Sequence, residues 1–264
     1  MMPPLLLLVD DSPEITLIVR RHCKVAGFEL RAFDAVAPAW EYLQTSPLAE
    51  GPPVNPVLML LDLNLPGESG LELCRRMQGA RGLDRVPVAL FGSWDLPEDI
   101  AAALRAGIDF VVEKRLLVES NCWAVRVREI LESLDSRARR LSLSWKETQR
   151  NVPATEHQVS VFRQALCHTT LLQLGPEVGA ALRQRVATRV AQRVDFPNQN
   201  LHDWLLPEGQ GIHPSWLSRP ETPALLSAYV ELLADQVDGL LGAAAGASVR
   251  RDCGDLSPLP HVPS

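Results

Sequence analysis

The chain has 264 residues, 46% of them hydrophobic and 22% charged, with a formal net charge of −6. That length supports two domains of ordinary size, and that composition excludes a disordered chain. The acidic surplus is spread over both halves, which excludes a bulk basic field for nucleic acid and leaves only a local basic stripe as a means of holding it. The five cysteines, Cys23, Cys74, Cys122, Cys167 and Cys253, are odd in number and far apart, with no C-x-x-C pair. This pattern predicts reduced thiols rather than a disulfide framework or zinc site. No apolar run approaches the length of a membrane span or signal sequence, so a cytoplasmic chain is expected, with no membrane partner.

Leu5 to Val9 is an apolar run closed by Asp10 and Asp11, and reads as a first strand with acids at its carboxyl end. Ser12-Pro13-Glu14 then supplies a cap, a first-turn proline and an acid near the positive end of a helix reaching about Ala26. Ile15, Ile18, Val19, Cys23 and Val25 are its expected buried side, and Gly27 its stop. Phe28 to Ala32 alternates like an edge strand, and a second helix is expected over Val36 to Gln44. The proline-rich stretch from Thr45 to Pro56 reads as an extended surface loop.

Val57-Leu58-Met59-Leu60-Leu61 is the stretch around which the first half is organised. Five apolar residues in a row predict a strand buried on both faces of a parallel sheet, with Asp62 at its carboxyl end. Open α/β sheets place their chemistry at that end. A helix over Ser69 to Met77, a strand over Pro87 to Phe91, a helix over Pro97 to Ala106 and a strand over Ile108 to Val112 follow, with Lys114 closing the last strand. A final helix is expected from Val118 to Leu134. Alternating strands and helices with short joins predict right-handed crossovers and a flavodoxin-like doubly wound five-stranded parallel sheet.

Three acids and a lysine at the same ends of parallel strands form a hard oxygen cage with an ammonium beside it, which suits Mg²⁺ and phosphoryl transfer to a carboxylate. The acid pair Asp10-Asp11, the run Asp62-Leu63-Asn64-Leu65-Pro66-Gly67 with Gly70-Leu71, and Ala106-Gly107 followed by Lys114 resemble, in type and spacing, the response-regulator receiver domain of two-component signalling. The resemblance covers about residues 3 to 135. It implies that Asp62 is the phosphoacceptor, that Asp11 and the backbone carbonyl of Asn64 ligate Mg²⁺, that Asp10 supports the metal through water, and that Lys114 neutralises the phosphoryl group. It implies a histidine kinase or phosphotransfer protein as partner, and a signalling protein rather than an enzyme.

Three positions depart from the family pattern. The usual Thr or Ser at the end of the fourth strand is Gly92, with Ser93 one place later as the candidate replacement hydroxyl. The usual switch aromatic is Val111, and the usual proline after the lysine is Arg115, which predicts a trans peptide there. Trp94 is placed to cover an acyl phosphate or to pack on the fourth helix.

The rest of the chain reads as a mainly α-helical second domain, with 1–135 as receiver, 136–154 as linker or extended last helix, 155–250 as output or interaction domain and 251–264 as a tail. Thr155 and Gln158 suggest a capping box, and Val159, Phe162 and Leu166 share a face. Val178, Leu182, Val186 and Val190 line the inner side of the next helix, while Arg185, Arg189 and Arg193 recur every four residues as an expected solvated stripe. Four prolines between Asp195 and Pro220 predict short turns pinned by Trp204 and Trp216. Leu226, Tyr229, Leu233, Val237 and Leu240 form a seam on a long last helix ending near Gly242 to Gly246, and that seam suggests a homodimer or a downstream protein partner. His157 and His168 lack any flanking phosphotransfer pattern. The alternative functions are a DNA-binding transcriptional regulator with an atypical helical output and a phosphate-independent pseudo-receiver scaffold; nucleic acid ranks below a protein partner.

Overall fold

The computed structural model describes residues 3–49, 57–80, 82–92, 97–118, 122–132, 156–166, 171, 173–193, 212–219, 222–241 and 243–253. The chain divides into two units, Met1–Ser136 and Arg137–Ser264.

The first unit contains strands β1 (Leu5–Val9), β2 (Glu29–Phe33), β3 (Val57–Leu61), β4 (Val88–Gly92) and β5 (Phe110–Glu113), with helices α1 (Pro13–Ala26), α2 (Val36–Thr45), α3 (Gly70–Gly79), α4 (Pro97–Ala106) and α5 (122–132). The strands are all parallel, in the order β2-β1-β3-β4-β5. This is the doubly wound order in which the switch point lies between β1 and β3. Strand alternation sends Leu7, Val9, Met59, Leu61, Val88 and Leu90 into one core with α2, α3 and α4. Leu6, Leu8, Leu58, Leu60, Ala89 and Phe91 go into the other core, with α1 and α5. β3 is buried along its whole length, as a strand covered on both faces must be.

Helix α1 starts and stops as its residues require. Ser12 Oγ accepts from the backbone N–H of Ile15, and Gly27 takes the left-handed conformation (φ 77°) that closes the last turn. Val19 and Cys23 are buried and Ile15 and Ile18 pack partly, but Val25 is exposed, because two residues beyond Cys23 it lies on the opposite side of the helix.

The second unit contains α6 (Glu156–Leu166), α7 (Pro176–Arg193), α8 (Thr222–Leu241) and α9 (Ala243–Cys253). Phe162, Leu182, Val186 and Val190 are fully buried, as their spacing predicts. Three expectations need correction. Arg185 and Arg189 are not part of a solvated stripe; both are buried, at 4% and 2% exposure, while the side chain of Arg193 lies outside the described residues. The seam is not an open face along its length: Leu226, Tyr229, Leu233 and Val237 are fully buried and Leu240 is half-buried, on α8, the central helix of the unit. Residues 251–253, expected to open the tail, belong to α9, which runs to Cys253 and buries Val249 and Cys253, while residues 254–264 lie outside the described residues.

Gly246 allows the α8–α9 pair to close. A Cβ there would lie 2.2 Å from the carbonyl oxygen of Ala234, so no larger residue fits. Arg250 of α9 lies among Asp235, Asp238 and Glu231 of α8. Tyr229 sets its ring edge-on against Phe162 at 5.1 Å and donates its hydroxyl to the carbonyl of Arg183. Trp216 is buried in a short turn with Arg219 stacked 4.0 Å above its ring, whereas Trp204, the 136–154 linker, Thr155 and His168 lie outside the described residues.

Candidate functional site

Parallel register brings the acids together. Val9 pairs with Leu61, so Asp10 and Asp62, each one residue further on, emerge side by side, and the N–H of Asp62 donates to the carbonyl of Val9 at 2.9 Å. Asp10 is 1% exposed and Asp62 8%, while Asp11 faces solvent. Carboxylate oxygens of the three lie within 4.8 Å of one another.

Buried carboxylates need partners. Asp10 Oδ1 accepts from the N–H of Ser12 at 3.0 Å, and Asp62 Oδ1 accepts from the N–H of Asn64 at 3.1 Å. The other oxygens face Lys114, which reaches in from the end of β5: its Nζ lies 2.8 Å from Asp10 Oδ2 and is hydrogen-bonded to Asp62 Oδ2. Burial works against the Lys114 charge, but the bonds to Asp10 and Asp62 outweigh it and hold the ammonium above its ordinary range. One lysine does not neutralise three acids. The donor set is hard oxygen with surplus negative charge, which fits a divalent cation such as Mg²⁺.

The loop after Asp62 is held by short contacts. Gly67 turns it with φ 84°, and the N–H of Gly70 and the hydroxyl of Ser69 both point to the carbonyl of Leu63. Glu68 is tied to Arg76 on α3.

The structure thus brings Asp10, Asp11, Asp62 and Lys114 together and sets Asn64 beside them. Ser93 and Trp94 lie outside the described residues, as does the side chain of His157. At Gly92 a Cβ would meet nothing within 4 Å. Arg115 lies beside Glu113 rather than in the site, and no cis peptide occurs at or near it. Sequence reading missed Phe91, whose buried ring lies 5.7 Å from Lys114 Nζ; an aromatic residue at the end of a strand beside the lysine strand was its signal.

The profile of the family described as the response regulator receiver domain matches residues 6–122. The first unit is a response regulator receiver domain. Among curated relatives, the receiver aligns with the phosphate regulon transcriptional regulatory protein PhoB of Rhizobium meliloti at 29% identity, covering 43% of this chain and 46% of that protein. It aligns equally well with the two-component response regulator ARR17 of Arabidopsis thaliana, 29% identical over 42% of this chain and 74% of the relative. The chain therefore spans less than half of the length of PhoB. A receiver domain crystal structure from Rhodospirillum rubrum is 22% identical over 48% of this chain and 90% of that one, with a TM-score of 0.40. Among the described residues no helix is long and apolar enough to cross a membrane.

Proposed function

We propose that this chain is a cytoplasmic two-component response regulator in which Asp62 accepts a phosphoryl group from a phosphohistidine of a kinase or phosphotransfer protein, and the helical unit passes the signal to a protein partner. The observation that carries the reading is the placement of Lys114 against both Asp10 and Asp62, with Asp11 within reach of the same point.

Asp11, Asp62 and the Asn64 carbonyl would hold Mg²⁺ directly, with Asp10 supporting it through water. When bound, the metal supplies charge that neutralises the phosphoryl oxygens. A carboxylate oxygen of Asp62 attacks phosphorus, the phosphorus–nitrogen bond to the donor imidazole breaks, and the imidazole nitrogen keeps the electron pair and takes up a proton. Asp62 is oriented for this by the Asn64 N–H, which fixes one oxygen and leaves the other at the lysine. Lys114 then transfers its hydrogen bond from Asp62 to the new phosphoryl oxygen. The Ser93 hydroxyl, beside a glycine that leaves the strand end uncrowded, would report the event in place of the missing Thr or Ser.

Neither alternative is as well supported. Lys114 is spent on Asp10 and Asp62, an arrangement that a phosphate-independent scaffold has no need of. PhoB is named as a transcriptional regulator, but here Arg185 and Arg189, the best candidates for gripping DNA phosphates, are buried. Labelled acyl phosphate with Mg²⁺ tests the reading: wild type should take up label and Asp62→Asn should not, and equal uptake would overturn it.

A further inference from the structure

We propose that Phe91 is a positioning residue of the phosphoacceptor site, its ring face forming the floor on which the Lys114 ammonium is held and turned toward Asp62. The inference rests on the reading that Lys114 meets the phosphoryl group, and it assigns a part to a residue outside the acid and lysine set.

Lys114 has a long stem with four rotatable bonds and three N–H donors. Asp10 and Asp62 account for two directions, and the ring of Phe91 lies across a third, 5.7 Å from Nζ to its centroid. That distance is within the range at which an aromatic face attracts a cation. The ring cannot drift: Phe91 is fully buried, its strand pairs it with Val112, and it belongs to the core containing Leu117 and Trp123. Lys114 comes directly after β5, two residues beyond Val112, as the first residue of a short 3₁₀ turn. Gly92, next along β4, brings no side chain between ring and ammonium.

The choice of an aromatic has a chemical consequence. A carboxylate under Lys114 would add a third anion competing with the phosphoryl group for the same ammonium. A ring face attracts the charge without a preferred hydrogen-bond direction, so Lys114 can turn from Asp62 Oδ2 to a phosphoryl oxygen while staying on its floor. An aliphatic residue would fill the space and supply no such attraction.

Fluorination separates these roles, because it drains the ring's negative face while nearly keeping its shape. Phenylalanine carrying one, three or five fluorines is placed at position 91 of the full chain, alongside Phe91→Leu. In metal-free, unphosphorylated protein at neutral pH, NMR relaxation of the Lys114 side chain should show it loosening stepwise with fluorine number, as the ring loses its hold on the ammonium. The rate of phosphorylation from acyl phosphate should fall in the same order, by about threefold at the end of the series. A flat fluorine series in both readouts overturns the proposal, and it does so equally if Phe91→Leu alone is impaired, since the ring then acts by packing. Failure of the parent reading has a different signature: Asp62→Asn would still take up label, while the Lys114 relaxation series, measured without phosphate, would stand on its own.

Discussion

A Cβ on Gly70 would lie 2.2 Å from the carbonyl oxygen of Asp62, so the first residue of α3 sits directly on the backbone of the phosphoacceptor. The helix can approach that closely only where there is no side chain. Gly70→Ala must therefore push α3 and the end of β3 apart, a crowding that costs about 2 kcal/mol. Denaturant unfolding should show that loss. Label uptake by Asp62 should fall with it, because the displaced atoms belong to Asp62 itself.

Gly92 predicts the opposite sign. Its backbone is not in the left-handed region and a Cβ there would meet nothing within 4 Å, so the strand end gains by losing a flexible residue. Gly92→Ala should stabilise the receiver by about 0.4 to 1 kcal/mol. A urea midpoint at or below that of wild type would contradict the open space described at this position.

The contrast between these two glycines marks how far the residues could be read directly. Asp10, Asp11, Asp62 and Lys114 were legible because each closes an apolar strand and each carries chemistry that a turn does not need. The doubly wound parallel sheet followed from the alternation of apolar runs and helices. The burial of Arg185 and Arg189 was not legible, because charges repeating every four residues look the same on a solvated face as on one that folding covers. Gly242 and Gly246 looked like a helix end and a tail, yet Gly246 is where α9 closes against Ala234. A glycine that stops a helix and a glycine that lets two helices touch differ only in a neighbour far along the chain. Phe91 was missed for a similar reason: its ring matters through Lys114, 23 positions away.

Asp11 is the exposed member of a cluster in which one lysine faces three acids. Without metal its charge repels Asp10 and Asp62, weakly because water screens it. Asp11→Asn should leave the metal-free melting temperature unchanged or slightly raised, by no more than about 0.5 kcal/mol in stability. Saturating Mg²⁺ should raise the melting temperature of wild type and not that of the variant. Equal metal-induced shifts would exclude Asp11 as a ligand.

Arg250 holds α9 to α8. Asp235 is 6% exposed and its carboxylate is bonded to the guanidinium, and Asp238 Oδ2 accepts from Arg250 at 3.0 Å. Burial disfavours the arginine's charge, but the two aspartates outweigh that and keep it raised. Arg250→Met keeps much of the stem and takes the guanidinium away from Asp235 and Asp238, at a cost of about 2 kcal/mol. Amide hydrogen exchange should quicken in α8 and α9 and stay unchanged in the receiver strands.

The last prediction follows from the direction of the Lys114 shift. Its ammonium is held above its ordinary range in the folded chain, so protonation and folding favour each other. Below the unfolded value, about 10.4 for lysine, the stabilisation is fully present, and it declines as pH rises from there through the higher folded value. Lys114→Met removes the group and strands Asp10, which is almost wholly buried, beside Asp62 without their cation. In the presence of a chelator, the gap in unfolding free energy between wild type and Lys114→Met should stay constant from about pH 7 to 9 and narrow above about pH 10.5. Denaturant melts at stepped pH measure it directly. A gap that widens at high pH would mean that the folded chain favours neutral Lys114, and with it that the two aspartates do not hold the ammonium as the geometry places them.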